Sequence, residues 1–170
     1  MTPDSQEAFD PLEILRELKW ARYIVVGALG RVIHGSGEIT DGVDIVPAPN
    51  GMNIRAVGDA LERLNARRRD GAPLDLEHAL ASEPVLDLVT DAGGLKIIPE
   101  PAGTRGFDDL RRDAQNEPLG SGVRPQVASI ADLARMLVAR NREQDREILR
   151  RVRRMVELDR GRSRGWTLER

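Results

Sequence analysis

The sequence predicts a mixed α+β fold, and three observations carry that reading. Apolar residues recur at helical spacing towards both ends, as Leu12, Leu15 and Leu18 and again as Ile148, Leu149, Val152, Met155 and Val156. Two short β-branched runs, Tyr23 to Val26 and Val43 to Val46, lie between them. Finally, a chain of 170 residues that is 40% apolar suits one core, here assigned to residues 1–160 as a single domain whose part from 129 to 160 is helical.

Asp10 is suited to cap the first helix and Pro11 to occupy its first position, where a missing N–H costs nothing. Tyr23 to Val26 stops at Gly27 and reads as a buried strand. Ala28 to His34 supplies one or two helical turns with His34 at the end, and Gly35-Ser36-Gly37 is a loop. The second strand is ended by Pro47-Ala48-Pro49-Asn50-Gly51. Ile54, Val57, Leu61 and Leu64 mark a helix, with Arg67-Arg68-Arg69 expected at its negative C-terminal end and Asp70-Gly71 as its stop. Val85 to Thr90 and Leu95 to Ile98 flank Asp91-Ala92-Gly93-Gly94, the pattern of a hairpin. Phe107 to Ala114 reads as a short helix, and Leu119 and Val123 to Val127 as added strands. Ser129 and Asp132 form a capping box ahead of Ile130, Leu133 and Leu137. The last helix is expected to end before Gly161, leaving 161–170 as a flexible tail.

Composition removes several functions. The absence of cysteine excludes disulfides and thiolate chemistry, and two histidines, His34 and His78, offer no zinc spacing. No serine sits in a nucleophile elbow. No apolar run approaches the roughly 20 residues that span a bilayer, and residues 1–10 carry no apolar signal region, so a cytoplasmic location without membrane contact is the expectation. Of 26 basic residues 24 are Arg, the others being Lys19 and Lys96. The net charge of −2 divides into +6 over residues 134–170 and −8 over the remainder. With aromatics at 3%, any RNA contact there would be electrostatic, weak near physiological salt and without sequence preference.

Chemistry concentrates between Val25 and Val46. A strand ends in Gly27-Ala28-Leu29, a short helix ends in His34-Gly35, and the second strand is led in by Thr40-Asp41-Gly42-Val43-Asp44. This resembles the nucleotidyltransferase fold, specifically the bacterial AbiEii-like toxin and minimal nucleotidyltransferase group, whose strand ends in Gly-Gly-Leu-Ala and whose second strand carries Thr-x-Asp-x-Asp. Carboxylates at i and i+2 of a strand point the same way and can hold Mg²⁺, and glycines after the first strand let backbone approach a triphosphate. The resemblance implies Asp44 as a catalytic residue and metal ligand, and Gly27, Ala28, Thr40 and Arg142 as nucleotide-binding positions. Asp145 also matches. The likeness extends from the helix at Pro11 to the helix after Ser129, but the catalytic positions depart from the pattern. Gly42 stands at the first aspartate, Lys96 at the third carboxylate, Leu137 at a lysine, Glu38 at an arginine and Ala28 at the second glycine.

One remaining ligand of three binds Mg²⁺ weakly, so the first expectation is a degenerate site that binds a nucleotide or a protein partner and needs no cofactor. In that reading Lys96 replaces the metal charge by a salt bridge to Asp44. The alternative is an active Mg²⁺-dependent enzyme that transfers a nucleotidyl group from an NTP to RNA or protein. For that reading a bulge at Gly42 would return Asp41 and Asp44 to one strand face. A third reading is an RNA-binding accessory protein using the C-terminal arginines. A cognate antitoxin and a second copy of the chain are the protein partners these readings allow.

Overall fold

The computed structural model describes residues 9–168. In chain order these form α1 (Pro11–Glu17), β1 (Tyr23–Val26), α2 (Gly27–Ile33), β2 (Gly42–Pro47), α3 (Gly51–Arg63), β3 (Arg67–Arg68), α4 (Leu76–Ser82), β4 (Leu86–Thr90), β5 (Gly93–Ile97), α5 (Phe107–Leu110), β6 (Gln115–Asn116), β7 (Gln126–Val127), α6 (Ile130–Arg140) and α7 (Arg146–Leu168), with a 3-10 turn over Glu143–Asp145. The strands make one mixed sheet in the order β3-β4-β5-β2-β1-β7-β6. β1 runs antiparallel to β2 and parallel to β7, and β2 runs parallel to β5. The expected α+β class is the one observed.

Period-two alternation sends the strand side chains to two apolar layers. Val25, Val43, Ile45, Leu95 and Ile97 face α1, α3 and α4, where Leu15, Val57, Leu61 and Ala79 complete one core. Ile24, Val26 and Val46 face the other way, towards Phe107, Leu133, Leu137 and Val152 of α5, α6 and α7. The three strands expected to share a sheet do so, and the helices beginning near Ile54 and Ile130 cover opposite faces. Caps fall where the sequence places them: Asp10 accepts from the Glu13 N–H and Ser129 from the Asp132 N–H at 3.0 Å.

Several boundaries differ from expectation. α3 ends at Arg63 because Asn65 takes a left-handed φ of 51° and the Ala66 N–H turns back to the Leu61 carbonyl, a C-terminal cap that stops the helix. Arg67 and Arg68 therefore form an edge strand against Val89 and Leu88 and do not meet the helix dipole. Arg68 instead forks onto Glu83 and Asp70. α4, capped by Asp75, has no counterpart in the sequence reading. α5 is one turn only; Leu119 lies in no strand, the strand expected over Val123 to Val127 shortens to β7, and β6 at Gln115–Asn116 was not expected. α7 continues through Leu168, so residues 161–168 are helical where a tail was expected, and 169–170 lie outside the described residues. No helix among the described residues is long and apolar enough to cross a membrane.

Candidate functional site

The site is built where β1 turns into α2. Gly27 has φ +66° and opens α2, and a Cβ placed on it would overlap the Asp44 carboxylate. Only glycine allows that approach, because a side chain would both strain the backbone and displace the carboxylate. Asp44 is opposite Val26 on β1 and opposite Lys96 on β5. Lys96 is in turn opposite Asp87 on β4. Across three strands the same sheet face thus reads Asp87, Lys96, Asp44, and directly opposed side chains lie roughly 5 Å apart at Cβ.

The salt bridge expected between Lys96 and Asp44 does not form. The ammonium is exposed, and among the described residues Asp44 has neither an ion-pair nor a hydrogen-bond partner. Asp87 flanks Lys96 on its other side and is itself paired with Arg69 at 3.2 Å. Burial pushes the Asp44 carboxyl above the usual carboxylate range; the fields of Lys96, Arg140 and Arg31 oppose that shift without reversing it, and Asp87 adds to it. Asp44 is therefore a half-buried carboxylate surrounded by cations that do not touch it.

Two cavities open on either side of Asp44 and Lys96 and share both residues. One, of about 460 Å³, lies between β5 and α6 and is lined by Gly27, Arg31, Leu137, Arg140 and Arg142. The other, of about 350 Å³, is lined by Ala28, Thr40, Asp41, Gly42 and Arg69. The residues singled out in the sequence thus line one cleft, with Asp44 between the two lobes. Their states differ from expectation in several respects. The Thr40 hydroxyl donates to the Gly42 carbonyl at 3.0 Å, closing a turn ahead of β2. Gly42 is not among the glycines of positive φ, and its pairing to Gly94 continues without interruption into Val43 and Leu95. The bulge that would bring Asp41 and Asp44 to one face is absent, because β2 keeps a regular ladder, and Asp41 is exposed just ahead of the strand.

Glu38 is engaged elsewhere. Arg31 donates to it through Nε at 2.8 Å and Nη2 at 2.9 Å, and the Ser36 hydroxyl donates at 2.7 Å. Burial raises the Glu38 carboxyl, but the hydrogen bonds from Arg31 and Ser36 and the fields of Arg31 and Arg151 outweigh it and hold the group below its ordinary value. Arg151 of α7 donates to the Ser36 carbonyl at 2.6 Å, tying the last helix to this loop. His34 ends α2 and bonds the Ala128 carbonyl through Nε2 at 2.8 Å, a structural role.

Sequence reasoning missed Arg31 and Arg140. Leu137 is buried, and Arg140 follows it by one helical turn on the same face of α6. Helical periodicity contains the signal that would place Arg140 beside Leu137 at this cavity. Arg140 is itself held by Asp145 at 2.7 Å.

The residues present do not fit a divalent ion. Among the described residues no group of three His, Cys, Asp or Glu side chains is placed to hold a metal, and the nearest charges to Asp44 are cations. Asp44, with Lys96 and Arg140 the strongest charges acting on it, suits an anion more than a hard cation. No protein-family model matches the chain, and no curated protein matches it.

Proposed function

We propose that the chain is a degenerate nucleotidyltransferase-fold protein, related to the AbiEii-like toxins, that binds a nucleotide in the Asp44 cleft with transfer chemistry weakened or lost. One observation carries this reading: the carboxylate that would anchor a metal belongs to no group of three ligating side chains among the described residues, and it lies in a cleft bearing Lys96, Arg31, Arg140 and Arg142. Further support comes from the glycine at the end of β1, held against Asp44, and from the short helix ending at His34 before Thr40 and Asp44. Cations fixed around a concave, partly desolvated site recognise phosphate oxygens through charge-assisted hydrogen bonds. Phosphoryl-type transfer also needs charge stabilisation at the bond being broken, which a carboxylate-held metal supplies and this donor set does not.

Calorimetric titration with nucleoside triphosphates, in Mg²⁺ and in chelator, tests the proposal. Binding should survive chelation. It should weaken about tenfold in Lys96→Ala/Arg140→Ala, because two cations are lost, and hold or tighten in Asp44→Asn, which removes a repelling charge. Mg²⁺-dependent binding that vanishes in both Asp41→Asn and Asp44→Asn, with transfer of labelled nucleotide to RNA or protein, would overturn it in favour of an active enzyme.

A further inference from the structure

A second polar cavity lies at the opposite end of β1, away from Gly27 and Asp44. Of about 570 Å³, it is bounded by the end of α1, the start of β1 and the loop before β7. Arg16 and Lys19 reach it from α1 and the turn that follows, Arg22 from the lead-in to β1, and Arg124 from the loop. All four are exposed, and none has an ion-pair partner among the described residues, in contrast to Arg63, Arg68 and Arg135. Lys19 lies 5.2 Å from the Trp20 ring and Arg22 lies 5.4 Å from the Phe107 ring, contacts that leave their charges uncompensated. The dipole of α1 accounts for cations near its last turn. It does not account for Arg22 and Arg124, which come from other elements to the same cavity.

An independent observation concerns the floor. Tyr23 lines the cavity at 7% exposure, and its phenol has no hydrogen-bond partner among the described residues. The phenol oxygen is not among the buried unpartnered polar atoms of the described residues, so it faces the open cavity as a free donor. Burial pushes its pKa up, so it remains a neutral donor. At the rim, Gly120, Ser121 and Gly122 all take positive φ, and a Cβ on either glycine would meet open space, so no side chain from these glycines blocks access.

We infer that this cavity binds a compact multiply charged anion, a polyphosphate group, through Arg16, Lys19, Arg22 and Arg124 with the Tyr23 hydroxyl as a neutral donor. The shape favours this class over a polymer: the four residues line one concavity, and the exposed ring beside them, Trp20, is single where a stacking platform for single-stranded nucleic acid needs several. The site is separate from the Asp44 cleft and stands or falls without it.

Trp20 is 76% exposed beside Lys19, so its emission reports on the site once Trp166 is replaced by Phe. Titration of that full-length protein with inorganic tripolyphosphate should give a saturable change in emission. The midpoint should rise about tenfold or more in Lys19→Ala/Arg124→Ala, the loss expected for two charge-assisted contacts, and return towards the original in Lys19→Arg/Arg124→Lys. Arg55→Ala, which removes an exposed charge on α3, should leave it unchanged, and melting temperatures of the variants identify any that lose their fold. Absence of saturation at millimolar tripolyphosphate would overturn the inference. So would equal weakening by Arg55→Ala, which would mark bulk electrostatics, or equal affinity for an RNA oligonucleotide without terminal phosphate, which would mark a polymer surface.

Discussion

Asp44 combines two unfavourable conditions, partial burial and the lack of a contact partner, and its protonation is therefore linked to folding. Its folded pKa is raised above the unfolded value, so the native state holds the proton more tightly. Whatever stability this gives is fully present below the unfolded carboxylate range and is lost as pH rises through the folded value. Asp44→Asn, which imitates the neutral acid, should therefore be more stable than the natural chain near neutral pH by about 1 kcal/mol, the low end for an unpaired buried polar group. The advantage should vanish at about pH 3, below the ordinary aspartate value. Urea midpoints of the two proteins at both pH values measure it, and a stability loss in Asp44→Asn at neutral pH would show that the carboxylate is held by a favourable contact. That Asp87 faces Lys96 is legible, because β4 and β5 form a hairpin whose turn sets their register. That Asp44 lies opposite Lys96 from the other side is not written in any local pattern, because β2 and β5 are a parallel pair brought together across the fold, and that expectation came from the resemblance alone.

Elements whose ends carry strong local chemistry were the readable ones. β1 and β2 stop at glycine or proline, and α1 and α6 begin at Asp10 and Ser129, whose caps form as the residue types require. α3 shows the opposite case: its apolar period suggested a helix running into three arginines, whereas Asn65 in the left-handed region ends it first. Asparagine after the last apolar position was the available signal. α4 was overlooked although Asp75 precedes Leu76, Ala79 and Leu80 at helical spacing. The junction between β1, β2 and α3 depends on Asn53, whose amide donates to the Arg22 and Ala48 carbonyls at 2.8 Å while its oxygen accepts the Arg22 N–H at 2.6 Å. Asn53→Ala strands these buried backbone groups and should cost about 2–3 kcal/mol in a denaturant titration. A loss below about 0.5 kcal/mol, the range of an ordinary surface change, would mean that water replaces the amide.

Over the whole molecule α7 serves as the outer cover of the α6 layer. Val152 is fully buried, with Ile148, Leu149, Met155 and Val156 packed around that core, and Arg151 reaches the loop beside Glu38. Truncation after Gln144 removes all of these and also Asp145, which holds Arg140. The melting temperature should fall by about 5 °C or more, since each fully buried aliphatic side chain is worth about 1.5–3 kcal/mol. An unchanged melting temperature together with loss of salt-sensitive RNA binding would instead identify the basic helix as a nucleic-acid arm. The sheet that α7 helps to cover ends in β3 and β6, each two residues long, the former carrying Arg67 and Arg68 and the latter Gln115 and Asn116. Such margins offer too few free amides and carbonyls to template an incoming strand. The chain is thereby guarded against edge-to-edge aggregation, and a protein partner would have to be recognised by side-chain surfaces, since neither margin can accept it by β-augmentation.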